Sequence, residues 1–253
     1  MRIVFHPKYT EVYASDPAAT RGRLDHAIKE LGPLYGFVTP GPATEEDIGR
    51  IHSPGHIEHI KREKHLYELS ALAAGGAMRT AEIAADGEPA FGLIRPPGHH
   101  ASPDSCWGFC FFNNMSIAIE HVRRTRGVGK VFILDFDMHT GDGNINCLGH
   151  DPDVTIYNPS FPGGNEGYVN SVEQKLRSKL GRGYDIIAAS AGFDNYVRDW
   201  GGLLTTDDFH TIGALMKDFA EKECDGRRFA ILEGGYNHED LGRNIRSFLE
   251  GFG

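Results

Sequence analysis

Val131-Phe132-Ile133-Leu134, in the run Lys130–Asp135, and Asp185-Ile186-Ile187-Ala188-Ala189 are apolar stretches without alternation. A strand with one wet face alternates with period two. A strand apolar at successive positions is covered on both faces, as in a parallel sheet under helices. Working outward, strand-like runs fall at Arg2–Phe5, Ala90–Ile94, Lys130–Asp135, Val154–Tyr157, Tyr184–Ala191 and Arg228–Leu232. Helical runs sit between them at Thr20–Leu31, Glu45–His52, Ile57–Lys64, Ser70–Asp86, Asn114–Arg126, Ser171–Leu180, Thr206–Glu223 and His238–Leu249. Strands interleaved with amphipathic helices imply crossover connections. The expected class is α/β, an open parallel sheet flanked by helices on both faces.

Reactive side chains follow these strands. His99 and His100 come after Ala90–Ile94, in the Pro/Gly-rigid segment Arg95-Pro96-Pro97-Gly98-His99-His100. Asp137 and His139 come after Lys130–Asp135, Asp194 after Tyr184–Ala191, and Tyr236 after Arg228–Leu232. In an open parallel sheet the carboxyl ends of the strands converge on one crevice. Separate segments that each place chemistry there are expected to form one site.

Residue types suggest the chemistry. Asp137 and His139, an i, i+2 pair leaving a strand, can point the same way and bind a divalent ion, with Asp194 as third ligand. Two carboxylates and one imidazole leave a coordination position open for water, the catalytic arrangement. This set suits Zn²⁺ and accepts Fe²⁺ or Co²⁺ as well. His99 and His100 are candidate bases, and Asp135 and Asp142 remain to fix their tautomers. Tyr236 can donate its hydroxyl to a developing oxyanion. Phe109 and Phe161 can wall a slot for an alkyl chain. Each residue alone has a plainer reading as a turn, cap or core residue; their joint placement favours a metal-dependent hydrolase.

Composition bounds this reading. At 253 residues a single catalytic domain, 1–253, is expected. The net charge of −9 argues against a direct nucleic-acid partner, which would need a basic surface. No apolar run approaches a membrane span, and Met1–His6 reads as a first strand rather than a signal peptide. Cys106, Cys110, Cys147 and Cys224 contain no C-x-x-C pair, which fits a reducing, cytoplasmic compartment. Nothing in the sequence sets the oligomeric state.

The ordered motifs resemble the zinc-dependent histone deacetylase superfamily, with its class II-like, acetylpolyamine amidohydrolase and acetoin-utilisation branches. The resemblance rests on Arg95–His100, Gly108-Phe109-Cys110-Phe111-Phe112-Asn113-Asn114, Asp135-Phe136-Asp137-Met138-His139, Ser190-Ala191-Gly192-Phe193-Asp194 and Leu232-Glu233-Gly234-Gly235-Tyr236-Asn237. Ile51–Ile57 resembles the family's early helix-capping segment. The resemblance implies the arginase/deacetylase fold and hydrolysis of an acylated lysine or a small acylated amine. It implies Zn²⁺ on Asp137, His139 and Asp194, with His100 as base paired to Asp142. It further implies His99 paired to Asp135, Tyr236 polarising the carbonyl, and Gly108, Phe109 and Phe161 lining the acyl-lysine tunnel.

Three departures stand out. Thr140 replaces a second His. Ile156-Tyr157-Asn158 replaces a Ser-x-His stretch that helps hold K⁺, leaving Asp135 and backbone carbonyls as a candidate K⁺ site. Asp199-Trp200-Gly201-Gly202 is a shortened gate in which Trp200 stands at the pocket mouth. With the short N-terminal loops, this predicts a shallower and wider mouth. Other readings are an acetylpolyamine deacetylase, an arginase-like ureohydrolase and a catalytically silent acyl-reading module. The first lacks its usual Glu, the second lacks ligands for a second metal, and the third is disfavoured by the complete set of bases and ligands.

Overall fold

The structure is a computed structural model that describes residues 1–160 and 163–253. Seven strands form one sheet: β1 (Arg2–Val4), β2 (Gly36–Val38), β3 (Ala90–Gly92), β4 (Val131–Asp135), β5 (Val154–Tyr157), β6 (Ile186–Ala191) and β7 (Arg228–Leu232). Their order is β2-β1-β3-β7-β6-β4-β5, and every pairing is parallel. All residues of β4, β6 and β7 are buried, whichever way their side chains point. This is the two-sided cover that the unalternating apolar runs predict.

The helices are α1 (Asp25–Leu31), α2 (Glu45–Gly49), α3 (Pro54–Lys61), α4 (Lys64–Ala85), α5 (Asn114–Arg126), α6 (Asp142–Leu148), α7 (Gly164–Arg177), α8 (Thr206–Glu223) and α9 (His238–Phe252). Helices α4 and α5 pack together, and α1, α8 and α9 form another packed group. Phe132 of β4 meets Phe219 of α8 at 5.5 Å between ring centroids, one of the contacts that joins sheet to helix. Local chemistry sets several helix starts. Thr205 and Asp208 form a reciprocal capping box at α8, and the Asn113 and Asn237 side chains cap α5 and α9. Gly127, in the left-handed region at φ 67°, ends α5.

Several expected boundaries move. The segment expected to be helical from Thr20 turns first, and α1 begins at Asp25, because Arg23 is directed into the core. Helix α4 begins at Lys64 rather than Ser70; its first turn starts with exposed Lys64 and His65 and has no side-chain cap, while Leu66 and Tyr67 are half-buried. Helix α7 spans Gly164–Arg177 rather than Ser171–Leu180 and has no side-chain N-cap to mark its start. Strand β2 and helix α6 were not expected. Strand β2 is a three-residue strand with little burial, and α6 runs through Asp-Gly-Asn-Ile-Asn, a sequence of poor helix formers.

The register fixes where the strands stop. Asp135 of β4 lies opposite Ser190 of β6, Ala191 of β6 opposite Leu232 of β7, and Gly92 of β3 opposite Ile231 of β7. Four neighbouring strands therefore end nearly level, and the loops beyond them share one crevice.

Candidate active site

Asp137, His139 and Asp194 meet just past the ends of β4 and β6. Each offers one ligand atom, and these atoms lie within 4.8 Å of one another. Asp137 is held by the backbone N–H of Gly234, which donates to Oδ2 at 2.9 Å, and by that of His139, which donates to Oδ1 at 3.0 Å. The Met138 N–H donates to Asp194 Oδ1 at 3.0 Å. Asp194 Oδ2 is buried and accepts no hydrogen bond; His139 Nδ1 lies 3.2 Å away, outside hydrogen-bond geometry. An orphaned buried carboxylate oxygen facing an imidazole and a second carboxylate is what a divalent cation needs. Gly234 makes room for the pair, since a Cβ there would lie 2.6 Å from both the Asp137 and Asp194 carboxylates.

Electrostatics agree with a cation-seeking site. Burial and the Asp137 charge push the Asp194 carboxyl up. The neighbouring Asp137 and Asp194 carboxylates carry the His139 imidazole up to about 10. Buried like charges this close favour a positive charge between them.

His99 and His100 stand beside this cluster on the loop after β3, with ring centroids 4.0 Å apart. His99 Nδ1 lies 3.2 Å from Asp135 Oδ2, and His100 Nδ1 lies 2.6 Å from Asp142 Oδ1. Both dyads thus pair through Nδ1, which leaves each Nε2 for other partners. Their environments differ. Burial opposes charge on His99, but Asp137 and Asp135 outweigh it and raise its pKa well above the usual value. Burial and the neighbouring His99 hold His100 down at about 4, against the pull of Asp142.

Tyr236 projects from the loop after β7. Its backbone N–H and that of Asn237 both donate to Asp199 Oδ2 at 2.7 Å, which ties this loop to the one beyond β6. The Tyr236 ring stacks on Trp200 at 4.0 Å and meets the edge of Phe109 at 6.0 Å. Burial raises the phenol pKa, so the hydroxyl is a donor rather than a phenolate. A cavity of about 260 Å³ joins these parts; its lining includes His99, His100, His139, Gly108, Phe109 and Tyr236. Trp200, half exposed, also lines it. A second cavity, of about 530 Å³, shares Trp200 and Tyr236 and is lined further by Asp16, Thr20 and His238. Gly108 and Phe109 both adopt left-handed backbone, at φ 59° and 68°. Gly108 is needed there because a Cβ would collide with the His100 ring.

Every sequence-expected site residue except one lies in this crevice or in direct contact with it. The exception, Phe161, falls outside the described residues. Near the candidate K⁺ position, Asp135 Oδ1 is buried without a partner, an oxygen that such an ion would use. Thr140 is exposed, and Asn158 Oδ1 accepts from the Gly141 N–H at 2.8 Å, closing the loop beyond His139 by another route.

Other residues were not singled out from the sequence. Glu233 Oε2 accepts from the backbone N–H groups of Gly98 and His99, at 2.7 and 3.2 Å, and clamps the loop that carries both histidines. His99, Cys110 and Glu233 have metal-like spacing. Cys110 Sγ accepts from the His100 N–H, burial pushes its thiol pKa well up, and Glu233 Oε2 is engaged, so the observed contacts make this cluster a clamp, with Glu233 Oε1 buried and unpartnered. Arg95 is buried and anchors the N-terminal segment through the carbonyls of Tyr9, Glu11, Ala18 and Thr20. Arg23 reaches the carbonyls of Glu233 and Gly235. Trp107 lies over His100. Arg95 and Glu233 sit within quoted motifs, which was the only sequence signal for them.

The histone deacetylase domain model matches residues 18–184 and 163–252. The chain belongs to the histone deacetylase family. A probable deacetylase of Methanothermobacter thermautotrophicus is 33% identical over 99% of this chain and 90% of its own. A histone deacetylase-like amidohydrolase of Pseudomonas aeruginosa is 29% identical over 78% of this chain and 65% of its own. The crystal structure of an acetylpolyamine aminohydrolase from Burkholderia pseudomallei superposes with a TM-score of 0.87 at 22% identity, covering 100% of this chain and 98% of that one. That likeness establishes the fold, the arrangement expected from the histone deacetylase resemblance.

Proposed function

We propose that this chain is a zinc-dependent deacylase, a hydrolase that cleaves the acyl amide of an acylated lysine or a similar small amine. One observation carries the reading: a three-ligand cation site, two His–Asp dyads and a partly buried tyrosine all border one cavity of about 260 Å³. The family relatives named as deacetylases and amidohydrolases support it.

Asp137, His139 and Asp194 would hold Zn²⁺. Bound there, the ion would polarise the amide carbonyl and acidify a water. His100, kept neutral by its surroundings, takes a proton from the attacking water at Nε2 while Asp142 holds Nδ1–H. Tyr236 donates its O–H to the oxygen that gains charge. His99, paired at Nδ1 with Asp135, turns its Nε2 toward the reacting centre, where it favours negative charge. The proton on His100 then passes to the leaving amine. Phe109 and Trp200 form the walls near the mouth, the place expected for the alkyl chain that carries the acyl group. K⁺ at Asp135 belongs to the same proposal, as do a single catalytic domain over 1–253 and a reducing, intracellular setting suited to four free thiols.

The test is a substrate panel with metal content measured in the same preparation. Acetyl-, longer acyl- and trifluoroacetyl-lysine peptides are compared with acetylated polyamines. Turnover of at least one class by protein holding about one divalent ion per chain is expected. Metal-replete protein that hydrolyses none of them would refute the reading, and the ranking within the panel identifies the amine.

A further inference from the structure

We infer that Trp107 is a positioning residue for the His100–Asp142 pair, holding it from the solvent side. The inference rests on the proposed role of His100 as base. Trp107 is 55% exposed. Its ring nevertheless lies 3.8 Å from the His100 ring, tilted by 33°. Its indole N–H donates to Asp142 Oδ2 at 2.8 Å, while Asp142 Oδ1 pairs with His100 Nδ1 at 2.6 Å. Both carboxylate oxygens are therefore engaged, one by the base and one by Trp107.

The neighbouring dyad shows why such a residue is needed. Asp135 is fully buried, and Asn144 Nδ2 donates at 3.1 Å to the same oxygen that faces His99. Burial and an amide hold that carboxylate. The Asp142 side chain is 42% exposed at the first residue of α6. Water can compete for it, and a rotated carboxylate would release the His100 ring and its tautomer. Trp107 replaces burial: its N–H fixes the carboxylate and its ring covers one face of the imidazole. The next residue, Gly108, has no Cβ to push His100 aside, so the loop can close over the ring at this point.

Residues that orient a functional group through hydrogen bonds typically cost about 10–100-fold in activity when removed. Trp107→Phe keeps an aromatic ring and deletes the N–H. We expect kcat to fall about tenfold, with KM and metal content unchanged. Asp142→Ala removes the group that Trp107 holds, so adding Trp107→Phe to it should cost little more.

A second measurement is independent of turnover. Trp107 and Trp200 are the two tryptophans, so the indole N–H spectrum carries two signals, assigned by Trp107→Phe. Asp142→Ala should shift the Trp107 signal and speed its exchange with water, while an unmoved Trp200 signal reports an intact fold. Unchanged kcat in Trp107→Phe, a rise in KM alone, a full additive loss in the double variant, or an indole signal indifferent to Asp142→Ala would each overturn the inference. If the wild type turns over none of the acylated amines, the deacylase reading fails instead, and the indole signal alone decides the contact.

Discussion

Asp194→Asn should raise stability without metal and forfeit most of the stability that metal adds. Without metal, Asp194 is buried beside the Asp137 carboxylate and its pKa is raised by burial and that charge. The asparagine keeps an oxygen for the Met138 N–H, now at 3.0 Å, and removes the repulsion. Relieving an unfavourable buried charge is worth about 1–3 kcal/mol. At roughly 2–4 °C per kcal/mol for a chain of this size, the metal-free variant should melt about 2–12 °C above metal-free wild type. With metal most of this advantage is cancelled. Free Zn²⁺ at 100 times its dissociation constant stabilises wild type by about 2.7 kcal/mol. If losing one of three ligands weakens binding about 100-fold, the same concentration gives the variant only about 0.4 kcal/mol. The assay is a pair of thermal melts, in chelator and in buffered Zn²⁺, with metal measured after dialysis. A variant less stable than wild type in chelator, or one that retains stoichiometric metal, would refute this account of the site.

The other expectations concern catalysis and the mouth of the cavity. His100→Ala should lower kcat by at least ~10²-fold and Tyr236→Phe by ~10²–10³-fold, with metal content near wild type; near-normal turnover in either variant on the best substrate would remove that residue from the mechanism. Trp200→Ala should raise KM several-fold and lower kcat less, because Trp200 lines the cavity above the reacting groups. A loss in kcat with KM unchanged would show instead that Trp200 acts by supporting the stacked Tyr236 ring.

Much of this architecture is legible in the chain because its signals are local. The boundaries of α5 and α8 follow from Asn113 and Thr205 as caps, and β5 and β7 from short apolar runs between polar turns. The site residues are legible for a related reason: each follows a strand, and parallel strands bring their carboxyl ends together. The parts that escaped depend on partners distant in sequence. Arg23 reads as one more charge in a helical run until it is seen donating to the carbonyl of Gly235, 212 residues away. Glu233 reads as a spacer between Leu232 and the glycines until Gly98 and His99 donate to it. Strand β2 has little burial and so no pattern to read, and α6 is held by the surrounding loops against its own weak propensity.

Two adjacent histidines acquire different work from this arrangement. His99 is fully buried, with one carboxylate at Nδ1 and a second, Asp137, 3.8 Å from its Nε2. Burial opposes its charge, but without metal two acids at such short range outweigh it and raise its pKa well above the usual value. His100 has a single carboxylate, half open to water, and a charged neighbour 4.0 Å away between ring centroids. Burial and that neighbour together hold it neutral. The charge on one ring therefore helps to keep the other free of a proton, ready to accept one. A pair of residues with the same side chain is thereby separated into a fixed charge and a base. The separation depends on Asp135 being buried and Asp142 not being so, and hence on where β4 ends and α6 begins.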